Sequence, residues 1–355
     1  MKRIVPMTSM RRLLVPVGLV LVIGLTIAAA SLPARLGDQE FWRLVSDSSE
    51  SDGAFRSDNL LSNELGYQFV IPELARTTKV GRVYMGVGPE QNFTYIVATK
   101  PAMAFIVDIR RGNLDLHLMY KALFELSADR AEFVSRLFSK KRPEGLSAKS
   151  TSSDIFGAFW NVTTDPAVFN ENLRAIDNLL VKKHGFGLSS DDVDGIKYVY
   201  NAFFLYGPAI RYSSTNSYGG SSQPTYANLM TAADLAGLEH SYLANEENFQ
   251  FLKDLESRNM VVPVIGNFGG PKAIRAVGTY LRDKNAIVSA FYLSNVEQYL
   301  RQDLIWDNFC ANVATLPLDE SSKFIRSVRR GNTTPGIGLS SELGNMSGEV
   351  ESCRP

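Results

Sequence analysis

Short apolar runs alternate with segments of helical spacing through the middle of the chain. Val83-Tyr84-Met85 and Ala104 to Asp108 are apolar and bounded by turn residues, which is typical of buried strands, and Gln91 to Thr99 between them has the length of a helix. A second strand–helix–strand unit is predicted over 260–292, with its helix beginning at Pro271. Strands that alternate with helices predict an α/β fold whose mostly parallel sheet carries helices on both faces.

The rest of the pattern divides the chain into a body and flanking segments. Residues 58–326 form the predicted α/β domain, and 35–57 are interpreted as a linker that contains a short helix. From residue 327 onward few positions are apolar, so 327–355 is interpreted as a disordered tail. Further helices are predicted at 114–126, 128–139, 166–183, 225–236, 245–256 and 295–309, with 196–206 as helix or strand and with loops at 140–153 and 212–224.

The N-terminus predicts a membrane segment. Residues 1–12 carry four basic residues and no acid, and Leu13 to Ala30 is an uncharged run that would rise about 27 Å as a helix. Small residues at 28–30 and at Ala34 are candidate cleavage sites, so both a signal peptide and a retained anchor remain open for residues 1–34. The positive flank predicts that the body lies on the non-cytoplasmic, periplasmic side, either anchored or exported.

Composition narrows the function classes. The formal net charge is zero, which argues against general binding to nucleic acid because phosphate neutralisation needs a basic surplus. Two cysteines and three histidines, none at metal-ligand spacing, argue against a structural metal centre, and no metal is expected. Cys353 falls in the predicted tail, and the interpretation favours two unpaired cysteines over a bridge to Cys310.

A glycine motif follows the first predicted strand. Gly86-Val87-Gly88 stands where that strand turns into a helix, and the second strand ends in Asp108, twenty residues after Gly88. In a Rossmann-type unit the first glycine permits the turn, the second lets a ligand approach the backbone, and the acid accepts the ribose hydroxyls. Gln91 replaces the third glycine of the dinucleotide fingerprint, which weakens a pyrophosphate assignment.

This motif resembles the nucleoside-binding half of class I S-adenosylmethionine-dependent methyltransferases, which are Rossmann-like. The resemblance implies that Gly86 and Gly88 line the methionine side of an S-adenosylmethionine site, and that Asp108 binds the ribose. The methyltransferase pattern has an acid before the first glycine, where this chain has Tyr84 and Met85. The chain from residue 58 to about 309 also resembles uncharacterised bacterial proteins with the segment Ser-Asn-Val-Glu-Gln-Tyr-Leu, here 294–300, which implies no activity.

Polar residues at the ends of the other predicted strands are further candidates. Arg110 is a candidate for an anionic group of the ligand, and Asn92 a candidate at the start of the glycine-loop helix. Candidate substrate-binding residues precede the first strand or follow the later ones: Asn63, Glu64, Asn267, Ser294 and Asn295. Glu297 is the candidate general base, since a carboxylate in a pocket can have its pKa raised towards neutrality.

Two hypotheses therefore stand. In the first, the protein is a membrane-targeted enzyme that binds S-adenosylmethionine or a related nucleotide and transfers a methyl group to a small or lipid-associated acceptor. In the second, it is an exported binding or structural protein on a Rossmann scaffold that has lost its cofactor. Both hypotheses predict a pocket of the small-molecule or nucleoside-binding type, which is functional in the first and degenerate in the second. Both also predict contact with a membrane through the N-terminal helix.

Overall fold

A six-stranded mixed sheet forms the centre of the molecule. The structure, a computed structural model of the chain, describes residues 1, 31–212, 223–328 and 339–353. Its strands are β1 (Val83–Gly86), β2 (Met103–Asp108), β3 (Val261–Ile265), β4 (Val288–Ser294), β5 (Lys323–Val328) and β6 (Ser340–Asn345). Their order is β3-β2-β1-β4-β5-β6, and every neighbouring pair is parallel except β5 with β6. The expectation of an α/β fold with a mostly parallel sheet is confirmed.

The winding of the chain reverses between β1 and β4. From β1 the chain steps outward to β2 and β3, and it then returns to the other side of β1 for β4 and β5. Because such crossovers are right-handed, the helices of the two halves cover opposite faces of the sheet. Strands β1 to β4 are buried almost throughout and consist mainly of Val, Ile, Phe and Ala, as expected for strands covered on both faces.

Fourteen α-helices lie in the described part of the chain. The first seven are α1 (Asp38–Ser48), α2 (Ile71–Thr77), α3 (Gln91–Thr99), α4 (Arg111–Leu126), α5 (Arg130–Leu137), α6 (Ser152–Trp160) and α7 (Pro166–Asp177). The others are α8 (Ser190–Tyr206), α9 (Tyr226–Met230), α10 (Glu246–Ser257), α11 (Ala273–Asp283), α12 (Val296–Gln302), α13 (Trp306–Ala314) and α14 (Met346–Glu349). Helix α3 has the predicted bounds, and 196–206 is helical.

A large helical insertion separates β2 from β3 and encloses an aromatic core. Phe93 on α3 contacts His117, Tyr120, Phe124 and Tyr242 edge-to-face, with ring centroids 5.2–5.5 Å apart. Edge-to-face pairs place the positive edge of one ring on the negative face of the other. The glycine-loop helix is therefore held between the sheet and the insertion.

Two predicted helices differ most in extent from the observed ones. Residues 225–236 contain only the five-residue helix α9, whose start is capped by Thr225, and turns follow it. The predicted helix 295–309 is interrupted, so α12 ends at Gln302 and α13 begins at Trp306. Leu304 between them has a φ of 58°, a left-handed conformation that a continuous helix does not allow.

Part of the predicted tail is folded. Strand β6 pairs antiparallel with β5 over its whole length, and Cys353 forms a disulfide with Cys310 of α13. The expectation of a disordered segment from 327 onward does not hold for residues 327–328, which end β5, or for residues 339–353, and the expectation of two unpaired cysteines is wrong. The polar sequence of β6, Ser-Ser-Glu-Leu-Gly-Asn, does not predict a strand. Backbone hydrogen bonds to β5 hold it in the sheet.

The segment predicted as a linker also belongs to the body. Helix α1 buries Phe41 and Val45, and it packs against β3 and α11. The apolar run 13–30, its cleavage sites and most of the predicted loop 212–224 lie outside the described residues. Among the residues that are described, no helix has both the length and the apolar character needed to cross a bilayer.

Candidate functional site

A cavity of about 740 Å³ lies at the carboxyl edge of the parallel strands. Gly88 after β1, Asp108 at the end of β2 and Ser294 at the end of β4 line it. It therefore spans the point between β1 and β4 where the winding reverses, which is where open α/β sheets bind ligands. Its volume is within the range of about 300–1,000 Å³ for small-molecule sites.

Most of the predicted site residues converge on this cavity. Of the candidate ligand residues, Gly88, Asp108 and Arg110 line it. The candidate substrate-binding residues also lie there: Asn63, Glu64, Asn267, Ser294 and Asn295. Residues far apart in the chain thus meet, because successive parallel strands end at the same edge of the sheet.

Three predicted residues have other roles. Gly86 faces Asn92, whose side-chain oxygen occupies the space that a Cβ at position 86 would need. The Asn92 amide donates to the carbonyls of Val87, Gly88 and Pro89 at 2.7–3.1 Å, so it holds the glycine loop from inside. Neither residue lines the cavity, and the structure gives them a scaffolding position rather than a ligand contact.

Glu297 is also outside the cavity lining. Its carboxylate forms an ion pair with Arg326 of β5, and Trp306 donates to it at 3.3 Å. The ion pair engages the carboxylate, so it does not face a ligand in the cavity. This arrangement does not fit the predicted role of general base.

The glycine loop presents its backbone to the cavity at Gly88. Gly88 has a φ of 78°, and no atom of the described residues lies within 4 Å of where a Cβ would stand. His117 of α4 contacts the Gly88 carbonyl through Nε2 at 2.9 Å. Burial lowers the pKa of His117 to about 4, so the neutral ring donates its proton to that carbonyl. The loop is thus fixed from behind while its outer side stays open.

Asp108 is bound by Arg110 two residues later. The guanidinium donates to both carboxylate oxygens, at 3.0 and 3.1 Å, and the Arg110 backbone N–H adds a third contact at 2.9 Å. Both side chains are largely buried, and Arg110 also donates to the carbonyl of Asp58. The pair is neutral overall, so Arg110 is not a free cation for an anionic ligand.

Glu64 lies beside the end of β4 and the start of α3. Its carboxylate accepts hydrogen bonds from Tyr292 at 2.7 Å, from Ser294 at 2.6 Å and from Gln91 at 3.0 Å. Burial raises the pKa of Tyr292 well above its ordinary value, so the phenol keeps its proton and donates it. Gln91, which replaces the third glycine, thus joins the glycine-loop helix to this carboxylate.

Glu90 is a buried carboxyl that sequence reasoning missed. It is fully buried behind Ser62, whose backbone N–H donates to it at 3.1 and 3.3 Å. Burial raises the pKa of Glu90 to about 8, so it is mostly protonated at neutral pH. Its position before α3 resembles an ordinary exposed helix start, and sequence carries no signal of its burial.

The elevated pKa of Glu90 predicts a pH-dependent stability. The folded state holds this proton more tightly than the unfolded chain, so the contribution is complete below about pH 4.5 and is lost as pH rises through about 8. We expect the unfolding free energy of the wild type to fall from pH 5 to pH 8 by at least about 1 kcal/mol more than that of Glu90→Gln. Urea denaturation at both pH values measures this, and parallel curves would contradict it.

Part of the cavity wall comes from the segment predicted as a linker. Residues 54–57 line it, and Arg56 donates to the hydroxyl of Tyr299 at 3.1 Å. Gly53 permits this path, because a Cβ there would collide with the side chain of Ile109. The Ser/Asp/Gly composition that predicted a linker thus also allows the backbone of this segment to pass close to Ile109.

The described residues contain no group of three or more His, Cys, Asp or Glu side chains arranged to hold a metal ion.

The chain matches the model of one family, a domain of unknown function (DUF7790), over residues 60–151 and 157–342. The chain belongs to this family. The matched range covers the cavity lining from Leu61 to Leu339, whereas residues 54–57 and Asn59 precede it. No curated protein matches the chain.

Proposed function

We propose that the protein binds a nucleoside-type small molecule in the cavity at the carboxyl edge, and that S-adenosylmethionine is the first ligand to test. The observation that carries this proposal is the position of the cavity between β1 and β4, with Gly88 and Asp108 both in its lining. In Rossmann-like sheets that position receives the nucleoside. The fold class and the convergence of eight predicted residues support it.

The residues fit such a ligand in part. Gly88 leaves open space beside its backbone, so a ligand can approach without meeting a side chain. Asp108 Oδ2 accepts one hydrogen bond from Arg110, and a carboxylate oxygen has room for a second, so one ribose hydroxyl can donate to it. The space beside Gly86, by contrast, is filled by Asn92, which moves the expected contact from Gly86 to Gly88.

Methyl transfer is the reaction class that this ligand would support. S-adenosylmethionine supplies the methyl group, and the chain would hold it in line with an acceptor and exclude water. Glu64, Asn267 and Asn295 are the side chains placed to bind ligand or acceptor, since all three line the cavity. Glu297 is not assigned a step, because Arg326 engages its carboxylate.

Binding is tested by thermal shift and calorimetry on the full chain with S-adenosylmethionine, S-adenosylhomocysteine and NAD. We expect an adenosine ligand to raise the melting temperature, since a ligand that binds only the folded state stabilises it. Asp108→Asn should weaken binding roughly tenfold, in line with the loss of one charged hydrogen bond. Glu297→Gln, outside the cavity, is the matched control. The absence of any shift at millimolar ligand would reject the nucleoside assignment.

We also propose that the body lies outside the cytoplasm, anchored or released after export through residues 1–34. The Cys310–Cys353 disulfide supports this, because such bonds persist in oxidising compartments. The Ala34 carbonyl accepts from Arg258, close before β3, so the N-terminal segment meets the body at the amino edge of the sheet. The cavity is at the opposite edge and would face away from the bilayer. Reporter fusions at the C-terminus test the sidedness.

The second candidate function is binding without catalysis by an exported member of the family. The internal contacts of Gly86 and Asp108 favour it, because two positions of the motif serve the scaffold. Binding of S-adenosylmethionine and S-adenosylhomocysteine, with no methyl transfer to any acceptor in lysate fractions, would select this alternative. If the body is periplasmic and the ligand is made only in the cytoplasm, the protein has no supply of cofactor, and this result would also favour binding without catalysis.

A further inference from the structure

Glu64 is a buried carboxylate without a positively charged partner. It is 2% exposed, and its three side-chain contacts, with Tyr292, Ser294 and Gln91, come from uncharged groups. No ion pair among the described residues includes Glu64. Three groups that can donate a hydrogen bond converge on its two oxygens, an arrangement that suits a charged carboxylate.

The other charged residues of the cavity do not balance Glu64. Asp108 and Arg110 neutralise each other. Arg56 and Asp303 are exposed, so water screens their charges. The deep part of the cavity therefore has a net negative charge.

An uncompensated buried charge is unfavourable, and it is usually retained where something else neutralises it. We propose that the ligand carries an ammonium or sulfonium cation that lies against Glu64. This inference rests on the proposed function, since it names the chemical class of the ligand in the same cavity.

A second acceptor supports a ligand rich in donors. Asn59 lines the cavity in a left-handed conformation with a φ of 47°. Its side-chain oxygen is buried and has no hydrogen-bond partner among the described residues. Buried acceptors normally have partners, so this oxygen is suited to an N–H or O–H of the ligand. Two acceptors, one of them charged, thus line the same space.

The backbone at the end of β4 brings the donors to Glu64. Ser294 has a φ of 50°, and the pairing of β4 with β5 shifts register between Tyr292 and Ser294. Tyr292 and Ser294 are two residues apart, so their side chains lie on the same face of the strand and both donate to one carboxylate oxygen. A strained non-glycine residue next to a cavity is a common feature of binding sites. The end of β4 therefore holds the carboxylate that receives the cation.

The test compares two adenosine ligands that differ in charge. Decarboxylated S-adenosylmethionine has a sulfonium and an ammonium, and 5′-methylthioadenosine has neither. We expect the full-length wild type to bind the charged ligand about 30-fold more tightly or better, by calorimetry at low salt. Glu64→Gln should reduce this preference to about threefold or less. Glu90→Gln is the matched control, because Glu90 is equally buried but does not line the cavity, and it should keep the wild-type preference.

The outcomes separate the two proposals. An unchanged preference in Glu64→Gln overturns the cation assignment while nucleoside binding stands. If neither ligand binds the wild type, the nucleoside proposal fails. The cation proposal is then tested by comparing the melting temperatures of Glu64→Gln and the wild type without ligand. Removal of an uncompensated charge should raise the melting temperature of Glu64→Gln by a few degrees, whereas a fall would show that Glu64 is structural and would overturn the inference.

Discussion

Replacement of Arg110 by methionine is expected to lower the free energy of unfolding by about 3–5 kcal/mol. The guanidinium contacts both oxygens of Asp108, which is only 5% exposed, and it also donates to the carbonyl of Asp58. Without it, a charged carboxylate would remain buried with one backbone N–H as its partner. Chemical denaturation of Arg110→Met measures the loss.

The double variant Asp108→Asn with Arg110→Met should recover part of that stability, because it removes the stranded charge along with its partner. Lys284→Met is the matched control, since this half-buried lysine has a cation–π contact but no ion pair in the described structure. A double variant that is less stable than Arg110→Met alone would show that Asp108 is stabilised by something other than Arg110.

Loss of the disulfide is expected to destabilise the protein by about 2–4 kcal/mol. The bond closes a loop between positions separated by 43 residues, and it ties the last described turn to α13. Closing a loop restricts the unfolded chain more than the folded one, which is the usual account of the effect. Cys310→Ser with Cys353→Ser should therefore show a lower melting temperature than the oxidised wild type.

Reduction supplies the control for this second prediction. Dithiothreitol should lower the melting temperature of the wild type to near that of the double serine variant, and it should leave that variant unchanged. An equal effect of reductant on both proteins would mean that the disulfide contributes nothing to folding in solution.

The sequence predicted the strands around the glycine motif because their signals are local. Apolar runs bounded by turns identify β1 and β2, and α3 has its predicted bounds. Strand β6 could not be predicted in the same way. Only one of its six residues is buried, and its stability depends on pairing with β5 rather than on its own pattern. The C-terminal fold was therefore missed.

The site shows the same division between local and long-range signals. The positions of the strand ends indicated where polar side chains would meet, so Asn267, Ser294 and Asn295 were correctly predicted to lie at the cavity. Which way each side chain turns was not predictable, since it depends on tertiary contacts. Asn92 turns inward to the loop carbonyls, and Glu297 turns to Arg326 on a strand that is distant in the sequence. Burial of Glu90 depends likewise on Ser62, which only the fold brings near.

The position of β1 in the sheet also affects how the chain reaches its native state. Val83 pairs on one side with Met103 and on the other with Val288, so one edge of this central strand stays unpaired until most of the chain has been made. Long-range pairing of this kind slows folding, because a long loop must close before the contact forms. During that time the exposed edge of β1 can pair with other chains. The helical insertion between β2 and β3 therefore lengthens the period in which this unpaired edge is open to aggregation.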